Sequence, residues 1–553
     1  MIARALRRLA CACAALLLAG CGLVGALTPA PSPSTLAPSP SSSPTSQPSP
    51  TPQPSPTSQP SPSDLPDSTA LPSPVPSLVP AAAQYLVLVS LDGCRPDYFE
   101  LADLPNLRGL LQSGSAYPGA WLGQLDSATA PGHTSMSTGS FPNRNGILSF
   151  NWSGPRATLA NPTTPAAVQR GEMAQIVRAS GVPTLAGLIK ARYPDGLVAS
   201  ISATKDYAAL ALAAGPADIV LFGAADGSTL QPASLPGYTL PAGLLDDPRL
   251  RVKVTQPGEE NLFAARAGAL LVETVRPRAL LLNFSATDLY GHSSGGKIAP
   301  SLMTKVMKNT DLALGELIQA YRQAGIFDQT LWVISADHGM IPNSHLIDPQ
   351  GLEDAAKSAG LPGSGRAPYI FLDNPLKAAK LAEAIAAKNL PGIVAVYFRL
   401  ELRDGASYLP APSTQAGLNI QLDATYRYLL STISGPTSPD VVLPTTEDAQ
   451  LSSAEPDSSG AHGWITWGVQ HIPLFLSGPG VRPGASLTSP ARLVDLLPSI
   501  ARLMGLPEAN WDGLVLADAL LEPAPADLAR QAASNDLLQP LRDKLRSIAG
   551  FEN

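Results

Sequence analysis

Three apolar runs in this sequence are each followed within a few positions by aspartate or histidine. Tyr85 to Leu91 is followed by Asp92, Ala279 to Ser285 by Asp288 and His292, and Thr330 to Ser335 by Asp337 and His338. A sixth group, His462, stands in Gly460-Ala461-His462-Gly463, ahead of another apolar run from Ile472 to Ser477. Taken singly these are ordinary: an Asp-Gly pair is usually a turn, and Asp-His-Gly a strand end. As a set they carry chemistry, because carboxylate and imidazole together suit zinc or a similar divalent ion, and six such ligands could serve two ions. The chain has six histidines. Three occupy these positions, while His345 and His471 have no such neighbours and read as structural.

A hydroxyl completes the candidate chemistry. In Thr129-Ala130-Pro131-Gly132-His133, Pro131 suits a first helical turn and places Thr129 at a helix N-terminus. There the helix dipole and free N–H groups favour an alkoxide or a phosphate. A plain helix cap is the alternative use of the same threonine.

Asp92 and His338 are about 250 residues apart and His462 lies further on, so a fold must gather these groups. From Tyr85 onward, apolar runs of strand length alternate with helix-period segments, the signature of an α/β domain with a mainly parallel sheet sandwiched by helices. The strands expected are Tyr85 to Leu91, Leu197 to Ala203, Ala279 to Ser285, Thr330 to Ser335 and Ile472 to Ser477, each apolar enough to be covered on both faces. Helices are expected over Pro105 to Gln112, Val182 to Tyr193, Ala299 to Ala324 and Leu493 to Met504. In an open parallel sheet the site lies beyond the carboxyl ends of the strands, where Asp92, Asp288, His292, Asp337 and His338 would converge. Residues 340–460, with weaker patterns and many Pro, Gly and Ser, read as an inserted smaller lobe.

The N-terminus reads as an export signal. Arg4, Arg7 and Arg8 precede an apolar run ending in Leu18-Ala19-Gly20-Cys21, the charged and apolar regions of a secretory leader over residues 1–20. The tetrapeptide resembles a bacterial lipobox, which implies lipidation at Cys21 and a protein held at the outer or periplasmic side of a membrane. A retained transmembrane helix is the competing reading. Residues 21–82 include a Pro/Ser/Thr tract from Thr28 to Val79 that is too poor in large apolar residues to fold, and it is expected to be an extended, disordered tether. The catalytic domain then occupies 83–520 and a helical tail 521–553. A net charge of −7 argues against a nucleic-acid-binding surface. Of four cysteines only Cys94 lies in the folded part, so no disulfide staples it.

Leu91-Asp92-Gly93, Thr129 with its Pro-x-His, Asp288-x-x-Gly291-His292, Asp337-His338-Gly339-Met340, His462-Gly463 and Ser477-Gly478-Pro479-Gly480 occur in that order. From about Tyr85 to Leu516 the chain thereby resembles the alkaline phosphatase superfamily, in its branch of type I phosphodiesterases, nucleotide pyrophosphatases and threonine-nucleophile alkaline phosphatases. The resemblance implies two divalent ions, zinc foremost. One would be held by Asp288, His292 and His462, the other by Asp92, Asp337, His338 and the Thr129 oxygen. Thr129 would be the nucleophile, forming a phosphothreonine that water hydrolyses, and His133 would support from outside the metal shell. The implied substrate is a small phosphate mono- or diester.

Two positions depart from the pattern. The family's phosphate-binding Asn is expected where Phe150 stands, and Asn151 follows it, so a one-residue insertion would restore Asn151 as a phosphate donor. Lys205-Asp206-Tyr207 resembles the Lys-Asp-Arg segment of the threonine-type phosphatases, with Tyr207 in place of the arginine fork. Lys205 would still offer positive charge to substrate, whereas a phenol cannot replace bidentate guanidinium. Gly132 before His133, and Phe284-Ser285-Ala286-Thr287-Asp288, lean toward the monoesterases instead. A sulfatase would need Cys or Ser at position 129. A tethered surface module with a relict site is the non-enzymatic alternative.

Overall fold

The segment Tyr-Leu-Val-Leu-Val-Ser-Leu forms strand β1 (Tyr85–Leu91), buried at every position after the first. Burial of successive residues means that both faces are covered. The same holds for β2 (Val198–Ser202), β3 (Ala279–Phe284) and β4 (Thr330–Ser335). This computed structural model describes residues 82–153, 159–294, 300–364, 368–402, 405–450 and 460–549. Cys21 and the Thr28 to Val79 tract lie outside the described residues.

The strands belong to a ten-stranded sheet. Its centre runs β4, β1, β3, β2 and the strand Ile219–Asp226, all parallel. Beyond β4 the direction reverses at β5 (Leu474–Ser477), and on the other side the hairpin strand Thr229–Ser234 is also antiparallel. Register aligns the strand ends: Ser90 of β1 pairs with Ser335 of β4, and Leu91 with Phe284 of β3. The residues that follow these strands therefore leave the sheet along one edge. Because β5 runs antiparallel, the chain ahead of its N-terminus, which carries His462, reaches the same edge from the opposite direction.

Helices cover the sheet. The helix α1 (Thr129–Thr138) packs on α2 (Asp206–Ala213), which contacts β2 and β3. The helix α3 (Ala286–Ser293) follows β3 after a single residue. Helices Asn261–Thr274 and Pro300–Gln323 pack against each other, and the first also lies on β3. Residues 369–442 contribute a separate four-stranded sheet, with its own apolar cluster that includes Leu352, Leu381, Ile385, Val396 and Val441. The long helix Pro525–Ile548 packs on helix Ile420–Ser431. No helix among the described residues is long and apolar enough to cross a membrane.

Candidate active site

Asp92 begins the turn after β1, and Gly93 makes that turn possible. Its φ is +64°, and a Cβ there would lie 2.9 Å from the Asp288 Cβ. The Gly93 N–H donates to Asp337 Oδ1 at 3.0 Å, and the His338 N–H donates to the same oxygen at 3.1 Å. The ends of β1 and β4 are thus tied through one carboxylate. Asp288 and His292 lie on the first and second turns of α3, four residues apart on one face.

Each of three histidines is oriented by a backbone carbonyl. Nδ1–H donates from His338 to Gly339 O at 2.8 Å, from His292 to Gly460 O at 2.7 Å and from His462 to Ser127 O at 3.3 Å. A carbonyl can only accept, so the proton sits on Nδ1 and the Nε2 lone pair faces inward, as metal-binding histidines require. His338 Nε2 is 3.6 Å from Asp92 Oδ1 and 3.5 Å from Asp337 Oδ2. Asp288 Oδ1 is approached by His292 Nε2 at 3.3 Å and by His462 Nε2 at 3.6 Å. The rings of His338 and His462 stack with centroids 3.8 Å apart.

Burial holds His338 below the ordinary histidine value, and burial with the neighbouring His338 holds His462 well below it. Both imidazoles are therefore neutral at physiological pH, the form in which a histidine can ligate a metal. Burial and the adjacent Asp92 push the Asp337 carboxyl well above the usual range, because neighbouring like charges disfavour ionisation.

The donor set fits divalent metal. Asp92 Oδ1, Asp288 Oδ1 and Asp337 Oδ2 are buried and accept no hydrogen bond, and these are the oxygens that the histidine lone pairs approach. Buried polar atoms are almost always satisfied, and a cation shared between these lone pairs would satisfy all of them. Two compact groups result, Asp92–Asp337–His338 and Asp288–His338–His462. His338 belongs to both, and His292 joins the second through Asp288.

Thr129 is fully buried at the first position of α1, its Oγ1 3.3 Å from His338 Nε2. The helix comes this close because residue 132 is glycine: a Cβ there would sit 2.3 Å from the Asp337 carbonyl oxygen. His133, one turn on, donates from Nδ1 to the Thr129 carbonyl at 2.9 Å, and burial lowers its pKa to about 4.

Asn283 went unnoticed in the sequence. It is buried inside β3, donates to Asp92 Oδ2 at 2.8 Å and lies 3.3 Å from His133 Nε2, while Ser202 and Ser285 donate to its Oδ1. The available signal was one amide in Ala-Leu-Leu-Leu-Asn-Phe.

Lys205 reaches into the cluster, its Nζ 2.9 Å from Asp92 Oδ2 and 2.7 Å from Asp288 Oδ2. Burial alone would lower this ammonium's pKa, but Asp288 and Asp92 raise it well above the usual value. Its charge is shared between two carboxylates. Phe150 brings its ring to 5.8 Å from Tyr207 and 6.3 Å from His462, while Asn151 beside it is exposed.

The type I phosphodiesterase / nucleotide pyrophosphatase pattern matches residues 86–465. The chain belongs to that family. It is 25% identical to the alkaline phosphatase PhoK of a Sphingomonas species over 516 residues, covering 78% of this chain and 90% of the relative. The fold is shared with solved structures. Wild-type alkaline phosphatase PafA superposes with a TM-score of 0.57 at 15% identity, over 79% of this chain and 99% of that one. Human ectonucleotide pyrophosphatase / phosphodiesterase 5 does so at 0.54 and 17%, over 79% and 100%. With the cluster described, the protein is a metal-dependent phosphate ester hydrolase.

Proposed function

We propose that this hydrolase prefers phosphodiesters to phosphomonoesters, holds two zinc ions and forms a phosphothreonine on Thr129. We propose also that it is exported over residues 1–20, lipidated at Cys21 and tethered to the membrane through residues 21–82. The observation that carries the catalytic reading is Thr129 Oγ1 at the start of α1, 3.3 Å from His338 Nε2, beside carboxylate oxygens without donors. Asp288, His292 and His462 would hold one ion, and Asp92, Asp337 and His338 the other. When bound, such a pair favours the alkoxide and stabilises charge on the attacking and leaving oxygens of an in-line displacement. The residues supply the remainder. The N-terminal N–H groups of α1 lie where phosphate oxygens are favoured. Thr129 Oγ1 attacks phosphorus as its hydroxyl gives up a proton, one ester oxygen departs and takes up a proton, and water then cleaves the threonine phosphoester, which with a diester still carries the second arm, to regenerate the hydroxyl and release a monoester.

The diester preference rests on charge. A monoester dianion needs more positive charge than a diester monoanion. Here Lys205 is already compensated by Asp92 and Asp288, and Tyr207 with Phe150 presents an uncharged wall. The similarity to an alkaline phosphatase supports the opposing reading, so the substrates must be compared directly.

With bis(4-nitrophenyl) phosphate and 4-nitrophenyl phosphate on one zinc-loaded preparation, kcat/KM should favour the diester. Tyr207→Arg should raise monoester kcat/KM roughly tenfold, as expected of one charge-assisted hydrogen bond, with little change for the diester. A wild-type enzyme faster on the monoester sinks the preference. Thr129→Ala should abolish turnover while metal remains bound, whereas near-normal rates would move the nucleophile elsewhere. For the anchor, Cys21→Ala should release protein from the membrane fraction and stop palmitate incorporation, and unchanged membrane association with no label in either form would support a retained helix.

A further inference from the structure

A short helix, Trp467–Gln470, lies between His462 and β5, and its last residue, Gln470, is fully buried. The side-chain hydrogen bonds of Gln470 all cross to the segment that leads into α1, 343 to 347 residues earlier in the chain. Its Oε1 accepts from the Gly123 N–H at 3.1 Å, and its Nε2 donates to the Gln124 carbonyl at 2.8 Å and to Ser127 Oγ at 2.7 Å. Because an N–H only donates and a carbonyl only accepts, these partners fix which way round the amide sits.

Ser127 passes the contact on. Its hydroxyl, accepting from Gln470, donates to the Trp464 carbonyl at 2.9 Å, and its own carbonyl is the acceptor for His462 Nδ1–H at 3.3 Å. Ser127 is fully buried and stands two residues ahead of Thr129, while Trp464 stands two residues beyond His462. One amide, through one serine, therefore sets where the approach to Thr129 meets the loop that carries His462.

The helix that presents Gln470 is itself held. Glu447 accepts from the Trp467 and Gly468 N–H groups at its start, at 2.5 and 2.9 Å. The Gly468 and Val469 carbonyls accept from the Met340 and Gly339 N–H groups at 3.1 and 2.8 Å, just after His338. A metal-binding histidine depends on the acceptor of its second N–H for orientation, and for His462 that acceptor is the carbonyl of the serine held by Gln470.

We propose that Gln470 is a positioning residue for the hydrolysis. Through Ser127 it fixes the Thr129 hydroxyl relative to the His462 imidazole, and so sets the affinity of the ion assigned to Asp288, His292 and His462. The proposal rests on the two-ion, Thr129-nucleophile reading above and extends it to a side chain that touches none of the six assigned ligands.

The test titrates zinc into metal-stripped, full-length protein against a chromogenic chelator, and measures hydrolysis of bis(4-nitrophenyl) phosphate at saturating zinc. Gln470→Met keeps the length of the side chain and removes its three hydrogen bonds. It should weaken one of the two zinc equivalents roughly 10- to 100-fold, the cost of losing an outer hydrogen-bond partner, with the other within about threefold. With both sites filled, kcat should fall roughly 100-fold, as for a nucleophile displaced by about 1 Å, and KM should stay within about threefold. Ser127→Ala, which removes the hydroxyl and keeps the carbonyl, should weaken the same equivalent about tenfold. The double variant should be within about threefold of Gln470→Met, because the two side chains act in series.

A residue that only stabilised the fold would lower Tm and leave zinc affinity and kcat of the folded protein unchanged. Wild type with two zinc ions, and both single variants within about threefold of it in affinity and kcat, overturns the proposal and leaves the two-ion reading standing. Equal weakening of both equivalents, or effects that multiply in the double variant, overturns it too. Wild type that binds fewer than two zinc ions overturns both readings. If Gln470→Met does not fold, Ser127→Ala decides by the same two measurements.

Discussion

Lys205 brings one positive charge to a place where the chain folds three aspartates together, and it bonds the outer oxygens of two of them. Asp92 and Asp288 keep their Oδ1 atoms for the histidine-facing side, while Lys205 bridges their Oδ2 atoms. The residue therefore ties the end of β1 to the first turn of α3. Its side chain is 11% exposed and those of Asp92 and Asp288 are 0% and 4%, so the pair is screened little by solvent. Removing one partner of a buried ion pair leaves the other charge uncompensated, a loss of about 3 kcal/mol or more. Lys205→Met should accordingly destabilise chelated, metal-free protein by about 3 kcal/mol in urea denaturation. An unchanged midpoint would mean that the ammonium is free to serve substrate instead.

At the scale of elements, the decisive contact is that of α1 with the end of β4, and Gly132 permits it. With a Cβ only 2.3 Å from the Asp337 carbonyl oxygen, Gly132→Ala must push the helix away and carry Thr129 with it. A displacement on the order of 1 Å at a reacting group costs roughly 100-fold in rate. The variant should show that loss in kcat with the helical circular dichroism preserved, and a variant within threefold of wild type would show that the helix is not held by this contact. Much of this arrangement was readable beforehand. Strands β1 and β4 fall where alternation of apolar runs placed them, and the metal-ligating residue types follow β1, β3 and β4 directly. Other features carried no local signal. Helix Asn261–Thr274 is apolar on nearly every side because it is buried, with residues such as Leu262, Phe263, Ala264 and Ala265 consecutive in the interior, which erases the 3.6-residue period. The reversal at β5 depends on pairing with β4, the bridging by Lys205 on the convergence of β1 and α3, and the role of Asn283 on Asp92 and His133, 191 and 150 residues away. In each case the partner is chosen by the fold and not by spacing.

For the molecule as a whole, the described residues include one cysteine, Cys94, and it is buried and unpaired. Stability therefore comes from the apolar core and from whatever binds the native state alone. The candidate cluster does so by construction, since its residues come from positions 92 to 462 and cannot assemble in an unfolded chain. A ligand present at about 1,000 times its Kd stabilises by about 4 kcal/mol, so two such ions contribute roughly 8 kcal/mol. A domain of roughly 470 residues melts with an entropy on the order of 1 kcal/mol per kelvin. Stripping both ions with a chelator should then lower Tm by roughly 8 °C and abolish hydrolysis, with two equivalents of zinc restoring both. Repulsion among Asp92, Asp337 and Asp288 is relieved in part by Lys205, which is why the chelated protein should remain folded instead of unravelling. Calorimetry on chelated and zinc-restored samples, with metal content counted on the same material, decides the matter. Protein shown to be free of metal that melts at the same temperature would mean that these side chains do not bind ions tightly in the native state. The unpartnered oxygens of Asp92, Asp288 and Asp337 would then need another explanation.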